Sequence, residues 1–94
     1  MKMIEDALVL ARARRQLPEP LARRTLRESV GLTQADVAAG VGATRAAVTR
    51  WENGSREVSD RFVVRYLQAL ERFAFEIAEE GLEVRGSELA ADEQ

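Results

Sequence analysis

Arg45, Ala46, Thr49 and Arg50 are the residues whose types and spacing best suit chemistry, and that chemistry is recognition. At 3.6 residues per turn, these positions fall together on one face of a helix. Two guanidinium groups there can each fork donors onto the O6 and N7 acceptors of guanine. Ala46 and the Thr49 methyl can pack on the methyl of thymine. A short exposed helix with such a face suits the major groove of DNA. Thr44 precedes it, placed to cap the helix and also to approach the groove.

Other chemistry is poorly provided for. The 94 residues include no cysteine and no histidine, so disulfides, thiolate nucleophiles, zinc–thiolate sites and the commonest general base are all excluded. We expect no enzyme, no cofactor and no metal site. The carboxylates Glu76, Glu79, Glu80 and Glu83 read as a solvated helix end. The longest apolar run, Ala7 to Ala11, is far short of the ~20 residues that span a bilayer, so a cytoplasmic protein with no membrane association is expected.

The reading face must be held by the stretch from Thr33 to Gly54, TQADVAAGVGATRAAVTRWENG, whose spacing predicts two short helices joined by a tight turn. Thr33 caps the first, with Asp36 as the reciprocal partner of a capping-box-like pair. Gly42 supplies the sharp turn, Thr44 caps the second helix, and Asn53-Gly54 stops it. Val37, Ala38, Val41, Val48 and Trp51 form the shared core. Upstream, Met3 to Leu17 reads as a helix with Ile4, Ala7, Leu8 and Ala11 on its apolar face. Leu17-Pro18-Glu19-Pro20 breaks it, and Pro20 opens a helix to about Ser29 that buries Leu21, Ala22 and Leu26.

Downstream, Ser55 to Val58 is a polar loop and Ser59 caps a long helix from Asp60 to about Glu80. Phe62, Tyr66, Leu70, Phe73 and Ile77 mark its apolar stripe, widened by Val63, Leu67 and Ala74. Leu82 to Arg85 reads as a short strand, and Gly86 to Gln94 as a frayed acidic end. The whole is one all-α domain over residues 1–94: an N-terminal helix (1–17), a helix-turn-helix core (20–58), a long helix (59–81) and an acidic tail (82–94).

The net charge of −2 hides a division. Residues 12–65 carry eleven arginines against six acids, a net +5, whereas residues 66–94 carry two arginines against eight acids, a net −6. The basic charge is concentrated around the candidate reading helix.

Arg27, Gly31-Leu32-Thr33-Gln34, Val37-Ala38, Val41-Gly42, Thr44-Arg45, Val48 and Thr49-Arg50-Trp51-Glu52-Asn53-Gly54 together resemble the lambda-repressor/Cro-like helix-turn-helix family. The resemblance covers roughly Leu21 to Leu70 and implies an all-α bundle of about five helices, extended here by the N-terminal and long C-terminal helices. It further implies that Gln34 touches a DNA phosphate, and that Thr44, Arg45, Ala46, Thr49 and Arg50 face the major groove. Asn53 and Arg56 would approach the backbone, and Arg27 and Glu52 would form a partly buried ion pair. Gly40, Val58 and Ala46-Ala47 depart from the family pattern, and the alanines reduce the hydrogen bonds available for base readout.

Arg23, Arg24, Arg56 and Arg61 are further phosphate candidates, placed to position without specifying sequence. The expected function is sequence-specific binding of double-stranded DNA by a transcriptional regulator, a repressor, acting as a homodimer. Packing of the N-terminal helix on Phe73 and Ile77 within one chain is favoured, with dimerisation through the remaining apolar surface. The alternative is an antitoxin-like adaptor that binds its own operator and sequesters a protein partner through the acidic C-terminal part. A protein docking module without DNA binding is a third reading.

Overall fold

The computed structural model describes residues 2–84, and these form five helices: α1 (Lys2–Gln16), α2 (Pro20–Ser29), α3 (Gln34–Val41), α4 (Arg45–Asn53) and α5 (Asp60–Glu80). Helix α5 is the spine, in contact with α1, α2 and α3, while α4 packs on α2 and α3. Val37, Ala38 and Val41 of α3, Val48 and Trp51 of α4, and Val63, Tyr66, Leu67 and Leu70 of α5 are all buried. These residues meet in one core, with Val58 sealing its loop side.

The helix ends follow from side-chain chemistry. The Thr33 hydroxyl accepts from the Asp36 amide at 3.0 Å, and the Asp36 carboxylate accepts from the Thr33 amide at 2.9 Å. Two orphan donors of α3 are thereby satisfied reciprocally. These bonds hold the Asp36 carboxyl below its usual range, the backbone bond contributing most. Thr44 caps α4 through the Ala47 amide at 3.1 Å. Gly42 and Gly54 end α3 and α4 in the left-handed region, at φ of 80° and 77°. A Cβ at either position would be strained, and at Gly54 it would also lie 3.4 Å from the Pro20 ring.

Several expectations need correction. The first concerns α1, which turns Leu10, Ala13 and Leu17 to the core and leaves Ile4 and Leu8 each 54% exposed, with Ala7 exposed and Ala11 half-buried. The helix carries two apolar stripes. Pairing of Arg14 with Asp60 at the start of α5 fixes which one faces inward. In α2, Leu21 is 70% exposed, because Pro20 takes the inward position against Gly54 and Leu21 follows about 100° around the helix.

Val58, expected in a polar loop, is buried. Leu82 to Val84 form no strand, having no neighbouring extended segment to pair with among the described residues. Arg85 and the acidic end from Gly86 lie outside them. Ser59 stands at the N-cap position of α5 but its side chain makes no capping bond. The second half of α5 is only partly covered: Phe73 and Ile77 are half-buried, whereas Ala74, Phe75 and Ala78 are exposed.

Candidate nucleic-acid interface

Helix α4 lies at the surface with Thr44, Arg45, Ala46, Arg50 and Asn53 exposed and Thr49 half-buried. Arg45, Ala46, Thr49, Arg50, Asn53 and Ser55 line one shallow cleft along its outer side. Among the described residues, the side chains of Arg45, Arg50 and Arg56 make no hydrogen bond or ion pair, so their guanidinium groups are uncommitted. The Asn53 side-chain Oδ1 accepts from the Ser55 amide at 2.9 Å, holding the turn that follows α4. The structure therefore brings Arg45, Ala46, Thr49, Arg50 and Asn53 to one face, with Thr44 at its start and Arg56 just beyond its end.

Behind this face sits a polar brace. The Arg27 guanidinium binds both oxygens of Glu52, Nε to Oε2 at 2.6 Å and Nη2 to Oε1 at 2.9 Å. Its Nη1 donates to the Leu32 carbonyl at 2.8 Å. Side-chain exposures of 10% for Arg27 and 4% for Glu52 place the pair in the interior. The Glu52 hydrogen bond raises the Arg27 pKa further above its ordinary value, against the opposing effect of burial. Charge-assisted bidentate pairs are strong and directional, so α2 and the end of α4 are locked together.

Gln34, the first residue of α3, joins this brace instead of standing clear of it. Its amide nitrogen donates to Glu52 Oε1 at 3.1 Å, and its amide oxygen accepts from the Thr49 hydroxyl at 2.7 Å. One amide proton remains for a phosphate, so the implied backbone contact is compatible with the brace. No periodicity links Gln34 to Thr49 and Glu52. Only the turn at Gly42 brings α3 and α4 together, so sequence reasoning had no signal for this network.

The further phosphate candidates separate clearly. Arg23 is a clamp: Nε donates to the Pro18 carbonyl at 2.8 Å and Nη1 to the Trp51 carbonyl at 3.0 Å. The second bond satisfies one of the last carbonyls of α4, which lacks a helical partner. Arg24 pairs with Glu28 one turn on, and Arg61 lies over the Phe62 ring at 5.3 Å. Of the four, Arg56 alone has no partner among the described residues.

A helix-turn-helix family model matches residues 24–72, from within α2 to the middle of α5. That span exceeds half the chain and contains the capped α3–turn–α4 unit. The chain belongs to the lambda-repressor/Cro-like helix-turn-helix family. It is a helix-turn-helix protein of the DNA-binding regulatory kind. No curated protein and no solved structure matches the chain. No helix among the described residues is long and apolar enough to cross a membrane, and none of their acidic side chains cluster as a metal site would require.

Proposed function

We propose that this helix-turn-helix protein is a sequence-specific transcriptional regulator of double-stranded DNA, a repressor acting in the cytoplasm, with the whole chain working as one domain. Helix α4 enters the major groove and α3 lies across the backbone. Arg45 and Arg50 read bases, Ala46 and Thr49 offer apolar contact to thymine, and Gln34, Asn53 and Arg56 meet phosphates. The observation that carries this reading is the contrast in commitment between arginines. Arg23 and Arg27 are committed to partners within the protein, whereas the Arg45, Arg50 and Arg56 side chains stand exposed and unpaired.

One head reads only a few base pairs, so useful specificity calls for a two-fold dimer with its heads about 34 Å apart along the duplex. The outward face of α1, with Ile4, Ala7 and Leu8, and Phe75 on α5 supply uncovered apolar surface for a second copy of this chain. Selection of bound sites from random duplex DNA, with the solution mass measured alongside, tests the whole proposal. A palindromic site, a dimer mass and affinity falling steeply with salt are expected. Monomeric mass, no enriched site and salt-independent behaviour would instead identify a protein docking module.

A further inference from the structure

The brace behind α4 has a direction. Glu52 accepts the Arg27 fork on both oxygens, and Oε1 also faces Gln34 at 3.1 Å. A carboxylate engaged in this way is an acceptor, so the Gln34 atom facing it is the NH2 group. The other end of the Gln34 amide is then its oxygen, which must receive a proton. The group 2.7 Å away is the Thr49 hydroxyl, and it must therefore donate. The Arg45 carbonyl, 3.0 Å from the same hydroxyl, can only compete for that one proton. While the shorter Gln34 bond holds that proton, Thr49 has none to donate to a base.

From this polarity we infer that Gln34 is a positioning residue for specificity: through Glu52 it commits the Thr49 hydroxyl inward, so that Thr49 reads DNA as a methyl group. The inference rests on α4 being the reading helix. Thr49 lines two clefts, one shared with Gln34 and Glu52 and the other with Ala46 and Arg50. With its proton directed into the first, Thr49 can offer the second its methyl and an acceptor lone pair but no donor. Ala46 adds a second apolar contact beside it. The 5-methyl of thymine is the major-groove feature such a surface recognises, flanked by bases that Arg45 and Arg50 can bind as guanines.

Deoxyuridine substitution tests this, because it removes the thymine methyl and nothing else. In the selected duplex, replacing thymines one at a time weakens wild-type binding about three- to tenfold at one position per half-site. Thr49→Val, which keeps a methyl and loses the hydroxyl, retains that sensitivity. Thr49→Ser, which keeps the hydroxyl and loses the methyl, binds the thymine and deoxyuridine duplexes nearly alike. Gln34→Ala removes the inward tether and leaves only the intrahelical Arg45 carbonyl for the hydroxyl, so the methyl is no longer held toward the groove and the thymine preference flattens, whereas loss of a phosphate contact alone would weaken both duplexes equally.

Circular dichroism checks that each variant keeps its helices. Thymine preference preserved in Thr49→Ser but lost in Thr49→Val would overturn the inference, as would equal weakening of both duplexes by Gln34→Ala. Those results leave a protein that still selects a DNA site, whereas failure to select any site removes the reading helix itself.

Discussion

The α3–α4 unit and α1 are both rich in apolar residues, yet they differ in how firmly the sequence decides what they bury. In α3–α4, the caps at Thr33 and Thr44, the left-handed glycines at 42 and 54 and the buried residues Val37, Val41, Val48 and Trp51 all agree on one register. In α1, two apolar stripes compete, and the one with four apolar residues at regular helical spacing points outward. Periodicity finds an apolar face, but polar fixed points decide whether that face is covered. The α3–α4 unit has the Arg27–Glu52–Gln34 brace as such a point, and α1 has the exposed Arg14–Asp60 pair and the Leu17–Pro18 exit.

Removing the brace should cost the most. Arg27→Ala strands the Glu52 carboxylate and is expected to destabilise the fold by about 3–5 kcal/mol in urea unfolding. Replacing both partners with apolar residues of similar volume should recover most of this. A loss below about 1 kcal/mol for the single variant would mean that packing alone fixes α4. The next contrast pairs the two regions directly. Val48→Ala, at a fully buried site, should cost about 2–3 kcal/mol through lost burial and a residual cavity. Leu8→Glu should leave monomer stability within about 0.5 kcal/mol, while abolishing the proposed dimer in sedimentation.

The third contrast lies within the interface. Arg50→Ala should lose about 1–3 kcal/mol on the cognate site and relax one base position. Arg56→Ala should weaken all sequences alike and lower the salt slope by about one. Exchanged phenotypes would mean that reader and anchor are reversed.

The smallest effect concerns Tyr66. Its hydroxyl is buried without a partner among the described residues, and burial, reinforced by the Glu52 charge, pushes its pKa well above the ordinary value near 10. Above about pH 10 the unfolded chain loses this proton while the folded chain keeps it, so stability falls as pH rises. Tyr66→Phe should remove that decline and add about 1 kcal/mol at neutral pH. Because the chain has one tyrosine, one lysine and no cysteine, the alkaline titration has few other contributors.

These contrasts also mark how far the sequence could be read. The α3–turn–α4 unit, the start of α2 at Pro20 and the apolar stripe of α5 follow from local rules: caps, glycine stops, proline at the first helical turn and helical spacing. The exposed face of α4 follows by subtraction once its core residues are known. What stayed hidden depends on contacts between distant residues. Arg23 looks like any surface arginine until Pro18 and Trp51 are brought beside it. Gln34 looks like a free polar residue until Thr49 and Glu52 close around it. Val58 reads as loop because only the folded chain places a core next to it. A surface side chain and a clamp have the same sequence signature, since the difference lies in which carbonyls arrive nearby.

The only tryptophan gives the protein an optical consequence. Trp51 is 1% exposed, and its ring centroid lies 4.7 Å from that of Tyr66, the only tyrosine, and 5.7 Å from that of Phe62. Light absorbed by Tyr66 should therefore pass to Trp51 by resonance transfer, so the folded protein emits almost wholly as a shielded, blue-shifted indole. The reporter sits one residue from Glu52 and shares its helix with the arginines proposed to read DNA. A variant that loses binding with this emission intact has lost recognition, whereas recovered tyrosine emission marks a molecule whose α4 has come away from its support.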